Sequence, residues 1–148
     1  MPAPVEYASL RRRLSSLLYE CLLLLGVLAV GFLVPLIALG LAFGIEVAGW
    51  LEWLHVFVLL GAYFIWLWRR NGQTLAMQTW QLQLIDTRSG RTPTTRQCLL
   101  RYLLAWPSTL LSLTGIGLIW TAFVDRDRQF IHDRLSGTAI IFNPRAQQ

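Results

Sequence analysis

The sequence predicts an all-α membrane protein: two transmembrane helices plus a third apolar segment, either a re-entrant hairpin or a third span, with a small cytoplasmic β-strand pair. Three observations carry this reading. Of 148 residues, 55% are hydrophobic and only 14% charged, against about 25% charged in soluble domains. The hydrophobic residues gather into apolar segments at about 18–44, 47–68 and 99–124. All thirteen basic residues are Arg, and they cluster around the ends of those runs. One domain over 1–148 fits the length. The composition excludes a disordered tail, a disulfide scaffold and an ordinary cytosolic enzyme. A net charge of +5 is compatible with nucleic acid. Arg beside apolar runs points instead to anionic lipid in a bilayer, and no nucleic-acid partner is expected.

The first run, Cys21 to Ile45, carries no charge. As a helix it measures roughly 37 Å against a hydrocarbon core of about 30 Å. That exceeds the apolar core of a signal peptide, about 7–15 residues, so a retained span is expected. Pro35, with Gly31 and Gly40, is expected to bend it, as membrane helices tolerate. The second run, Trp53 to Trp68, is short and becomes long enough when extended back to Val47. Trp50 and Trp53 at one end and Trp66 and Trp68 at the other match two interfacial belts. The third run, Tyr102 to Val124, is interrupted by Pro107 and by Thr114-Gly115-Ile116-Gly117, which act as breakers.

Arg11, Arg12 and Arg13 precede the first span, and Arg69, Arg70, Arg88, Arg91, Arg96 and Arg101 follow the second. The connection between the spans carries only Glu46 and Glu52. The N-terminus and the long middle segment are therefore expected in the cytoplasm. A third span would put Arg126, Arg128, Arg134 and Arg145 outside, whereas a hairpin bent near Gly115 keeps every Arg inside. Trp80-Gln81-Leu82-Gln83-Leu84 alternates as a strand does, Asp86 to Gly90 reads as a turn, and Thr138 to Phe142 is β-rich before Asn143-Pro144. Either strand is marginal alone. Their pairing needs both on one side, which favours the hairpin and leaves the third span open. Cys21 and Cys98 make no framework and are expected to be free thiols.

The polar groups near the runs are the candidate site. Arg13 and Glu20 are seven residues apart, on one helix face about 10 Å apart along the axis, with Ser16 between them. An acid near the bilayer interior must be paired, solvated or protonated. Glu20 is therefore a candidate proton- or cation-binding carboxylate with Arg13 as partner; the structural alternative is a helix-packing salt bridge or a snorkelling side chain. Arg101 opens the third run as a counter-charge for Glu20 or Asp133, and Arg96 reads as an anchor. Asp125, Arg126, Asp127, Arg128, His132, Asp133 and Arg134 crowd the end of that run. With His titrating near neutrality, Asp125, Asp127, His132 and Asp133 can exchange protons or form an interfacial ion-pair network. One His among Arg residues is a poor metal set, so neither metal nor cofactor is expected. His55 reads as interfacial, and Gly72-Gln73-Thr74 as a tight turn with a polar exit.

These residues resemble the RDD family of bacterial membrane proteins, named for an Arg and two Asp. The resemblance runs from about Leu10 to Phe142. Arg13 through Glu20 resembles the opening motif, Gly72-Gln73-Thr74-Leu75 the motif after the second span, and Leu82 through Asp86 with Gly90 the strand and turn. Arg101 resembles the Arg opening the third segment, and His132 through Thr138 the closing motif, the most specific of the set. Glu20 stands where Asp is usual, and Ala76 and Met77 where a Gly and a basic residue are common. The resemblance implies a multi-pass protein of the bacterial inner membrane with a transport role. It establishes no substrate, and accessory subunits are equally compatible with it.

Two functions follow. In the first, cation and proton alternate on Glu20 and Asp133 while Arg13 and Arg101 tune them, in a homo-oligomer because so few segments cannot enclose a pathway. In the second, the protein is a non-transporting scaffold or assembly factor that docks a membrane-protein partner or lipid through its Arg-rich face. An enzyme is not expected, since no nucleophile is placed beside His132 and Asp133 by the sequence.

Overall fold

The computed structural model describes residues 8–115 and 131–143. Its first helix runs as one rod of 34 residues, Leu10–Phe43. It comprises α1 (Leu10–Leu28), a π turn (Ala29–Leu33) and α2 (Val34–Phe43). The Ser9 hydroxyl caps it, accepting from the Arg12 amide at 3.5 Å. Where Pro35 is expected to bend the helix, the backbone widens into that π turn. Proline has no N–H and its ring crowds the carbonyl four residues back, and a widened turn absorbs the mismatch. Gly31 lies in it, where a Cβ would stand 2.8 Å from the Leu59 side chain. Gly44, at φ 62, ends the rod.

The next helix, α3 (Gly49–Asn71), has 23 residues, about 34 Å. Both rods are long and apolar enough to cross a membrane, and the most apolar stretch of the first has none of its residues buried in protein. The polarity of α1 is inverted relative to a soluble helix. In α1 the buried residues are Arg13, Ser16 and Glu20, while Leu18, Leu22 and Leu25 are 68%, 59% and 65% exposed. Hydrocarbon, not water, is the solvent that suits such a surface.

The rest of the chain builds a small base at the C-terminal end of α3. It consists of α4 (Leu75–Thr79), β1 (Leu82–Asp86), α5 (Thr95–Leu113), a short α6 (Ile131–Leu135) and β2 (Thr138–Phe142). The strands pair antiparallel, from Leu82 opposite Phe142 to Asp86 opposite Thr138. The expected strand at Trp80–Leu84 is displaced by two residues. α4 takes the chain as far as Thr79, and Gln81, at φ 55, turns it into the ladder, which the Asn143 amide closes by donating to the Gln81 carbonyl at 2.8 Å. A core of Trp68, Met77, Leu82, Leu84, Cys98, Tyr102 and Ile140 backs the ribbon, without which two strands would be marginal.

The Asp86 turn forms as expected. Its carboxylate accepts from the Ser89 hydroxyl at 2.7 Å, the Gln97 amide at 2.9 Å and the Arg88 backbone at 3.2 Å. Those donors draw its pKa down to about 2. Thr94 and Gln97 exchange bonds at the start of α5, a capping box. Pro107 does not break α5; the helix continues through it to Leu113 and ends at Thr114 and Gly115, φ 83. Beyond Gly115 lies the undescribed part of the third apolar segment. By His132 the chain is back beside α5, with His132 Nδ1 2.9 Å from Ser108 Oγ.

Candidate functional site

Asp133 is placed by the closing motif. Ser136 Oγ donates back to the carbonyl of His132 at 2.7 Å and lies 2.8 Å from Thr138 Oγ1. Gly137, at φ 68, then turns the chain into β2. Asp133 is left fully buried. Arg101 Nη1 donates to its Oδ1 and, at 3.2 Å, to Thr138 Oγ1. Arg13 Nη1 stands 3.6 Å from Oδ2, and Arg13 Nη2 donates to the Ile140 carbonyl at 2.9 Å. The Arg101 guanidinium also lies over the Trp68 ring, 4.9 Å from its centroid. Burial pushes the Asp133 carboxyl up; the guanidinium of Arg101, with Arg13 behind it, outweighs burial and holds it below the ordinary carboxylate range.

His132 Nε2 is 3.3 Å from Asp133 Oδ1. Burial pushes the imidazole down to about 4, so it is neutral at pH 7. The tautomer protonated at Nε2 satisfies both neighbours: Nε2–H faces the carboxylate, and Nδ1 accepts from the Ser108 hydroxyl.

Glu20 is held differently. Tyr63 donates to Oε1 at 2.8 Å and Thr74 donates to Oε2. Thr74 Oγ1 also accepts from the Met77 amide at 3.2 Å, capping α4. Gly72 sets Thr74 there. At φ 66 it ends α3, and a Cβ on it would stand 2.7 Å from the Leu84 carbonyl oxygen, which is backbone and cannot yield. The Gln73 amide donates to the Leu82 carbonyl at 2.8 Å.

The expected Arg13–Glu20 pair does not form. Seven residues along a helix separate the two by about 10 Å. Each finds a partner at its own level, Arg13 on Asp133 and Glu20 on hydroxyls; among the described residues no cation pairs with Glu20. Of the two partners considered for Arg101, the structure selects Asp133. Asp125, Arg126, Asp127 and Arg128 lie outside the described residues. His55 is exposed and meets Phe32 edge-on at 5.7 Å, away from the cluster. Cys21 and Cys98 are both free.

A cavity of about 200 Å³ runs between α1 and α5 over Phe64 and Trp68 of α3. Its polar wall includes Arg13, Ser16, Glu20, Arg101, Ser108 and His132. One cavity thus touches Glu20 directly and reaches Asp133 through its two arginines. Among the described residues no group of three or more His, Cys, Asp or Glu converges as a metal site. The sequence reading missed Tyr63 and Ser108. Tyr63 hides in an aromatic run, where its hydroxyl was the only signal, and Ser108 is a single polar residue after Pro107.

The segments that meet here are those carrying the resemblance: Arg13 to Glu20, Gly72 to Thr74, Arg101, and His132 to Thr138. The family model described as the RDD family matches residues 7–137. No curated protein and no solved structure matches the chain. With most of its length matched, and with the motif segments joined in one cluster, the chain belongs to the RDD family.

Proposed function

We propose that this protein exchanges a monovalent cation for a proton across the bacterial inner membrane, with Glu20 as the exchanging carboxylate. The single observation that supports this is the setting of Glu20. It is 6% exposed, lines a cavity, and among the described residues is held by two hydroxyls. A hydroxyl donates to a carboxylate, and its oxygen can also ligate a hard cation. When the proton leaves Glu20, a cation can take its place against the same oxygens, with Ser16 on the same wall. A proton returning to the carboxylate releases the cation. Arg13 and Arg101 share the single carboxylate of Asp133, which leaves one positive charge in that group, and Glu20 is the carboxylate that lines the cavity. Asp133, paired with two arginines, holds the helices together and is not a second exchanging group.

The N-terminus and the base are placed in the cytoplasm on the Arg distribution. The return of the chain to Ser108 and the β1–β2 pairing support the re-entrant hairpin for the third apolar segment. A pathway needs more walls than two spans and a hairpin supply, so a homo-oligomer is part of the proposal.

Everted vesicles loaded with a pH-sensitive dye test it. Wild type is expected to restore pH on addition of sodium or potassium, and Glu20→Gln to abolish the recovery while still folding. Recovery of equal rate in Glu20→Gln removes Glu20 from the mechanism. One observation favours the scaffold reading: Glu20 fastens α1 to α3 and α4 through both oxygens, which a purely structural acid would also do. Stoichiometric capture of one membrane partner, with no ion flux in liposomes, would select that reading.

A further inference from the structure

The geometry points to a binding site for the headgroup of an anionic phospholipid in a cleft at the foot of α1, outside the cluster around Glu20 and Asp133. The cleft, about 380 Å³, lies between the first turns of α1 and the end of α4. Arg11, Arg12 and Ser15 line one side and Thr79, Trp80 and Gln81 the other, and among the described residues no acidic side chain lines it. Neither Arg11 nor Arg12 is in an ion pair among the described residues. Arg12 is steadied by the Phe142 ring, 4.1 Å from its centroid, a contact that leaves guanidinium donors for an oxyanion. Two guanidinium groups with hydroxyls alongside match a phosphodiester.

What selects a lipid over a soluble phosphate is the surface above the cleft. Leu14, Leu18, Leu22 and Leu25 follow Arg11 at helical spacing up one face of α1, and are 39%, 68%, 59% and 65% exposed. A phosphate seated on Arg11 and Arg12 directs its acyl chains along that leucine stripe. Trp80, 37% exposed, stands where the interface of a bilayer places tryptophan. The inference rests on the membrane placement of α1 and not on ion exchange, so Glu20→Gln is expected to bind lipid as wild type does.

Native mass spectrometry of the full chain in a neutral detergent tests it, with phosphatidylglycerol, phosphatidylcholine and inorganic phosphate as probes. Phosphatidylglycerol is expected to be retained over phosphatidylcholine. Arg11→Gln/Arg12→Gln is expected to weaken retention by about 25-fold, each Arg near an anionic surface contributing about fivefold. Arg88→Gln/Arg91→Gln removes the same charge from an exposed turn and is expected to change retention by less than about twofold. Equal loss in the two double variants would overturn the site in favour of diffuse charge attraction. Displacement of phosphatidylglycerol by an equal concentration of inorganic phosphate would overturn the lipid as ligand.

Discussion

Glu20 and Asp133 flank the same cavity, Glu20 directly and Asp133 behind Arg13 and Arg101, and they are held by opposite chemistry. Asp133 is matched by two guanidinium groups and has no exposed surface. Among the described residues Glu20 is held by the hydroxyls of Tyr63 and Thr74. A buried carboxylate neutralised by arginine has no reason to take up another cation. One held by neutral hydroxyls has no fixed counter-charge against it. The contrast separates a charge-paired acid from one bonded to hydroxyls, and the exchange proposed for Glu20 rests on it, although both are acids within family motifs.

The largest test removes the fixed charge. Asp133→Asn leaves Arg13 and Arg101 buried without their counter-charge and is expected to destabilise the protein by about 3–5 kcal/mol. The check is a thermal melt in detergent, alongside the yield of folded protein. Arg13→Met/Arg101→Met/Asp133→Leu, which removes the whole buried triad rather than one partner, is expected to recover much of the loss. A melt of Asp133→Asn close to that of wild type would erase the distinction between the two acids.

A pH series sharpens the same point. The folded His132 has its pKa lowered from 6.5 to about 4, so between those values the unfolded chain binds a proton that the folded chain refuses. Stability is therefore highest above pH 6.5 and falls as pH drops towards 4, by at most about 3 kcal/mol from this group. His132→Gln is expected to flatten that part of the curve. Asp133 acts in a lower window, because its folded pKa is depressed. Its stabilisation is complete above the ordinary carboxylate range and is lost as pH falls through and below it. An unchanged slope in His132→Gln would place the pH dependence elsewhere.

Smaller effects are expected on the Glu20 side. Thr74→Val loses a donor to Glu20 and the cap of α4 together, about 2 kcal/mol. Tyr63→Phe loses one bond to a carboxylate, about 1.5 kcal/mol. Both melts should lie between wild type and Asp133→Asn. If Tyr63→Phe were as damaging as Asp133→Asn, Glu20 would be as structural as Asp133, and the exchange reading would lose its support.

The local features of this fold were largely legible in the chain. Both long helices lie where the apolar runs place them, Thr138–Phe142 is the strand its composition suggests, and Asp86 to Gly90 is the turn. The site was legible as a set of residues but not as a set of pairs. Arg13 and Glu20 share a helix face, which made them look like partners. The partner of Arg13 lies near the other end of the chain, where Asp133 and the Ile140 carbonyl meet it. Pro107 looked like a breaker because a proline interrupts a soluble helix; α5 passes through it, as apolar helices packed among others can.

What the sequence determined alone is whatever depends on a few neighbouring residues: apolar length, Arg flanking, strand alternation, turn and cap chemistry. Those are set by local backbone preference and by transfer from water to hydrocarbon, neither of which needs a distant contact. Only the tertiary structure decided which acid each arginine neutralises, and that Tyr63 and Thr74 hold Glu20. Those outcomes depend on where β2 docks against β1 and where α6 returns to α5. Buried charges then pair with whatever opposite charge or dipole the packing brings within reach, and distance along the chain does not enter.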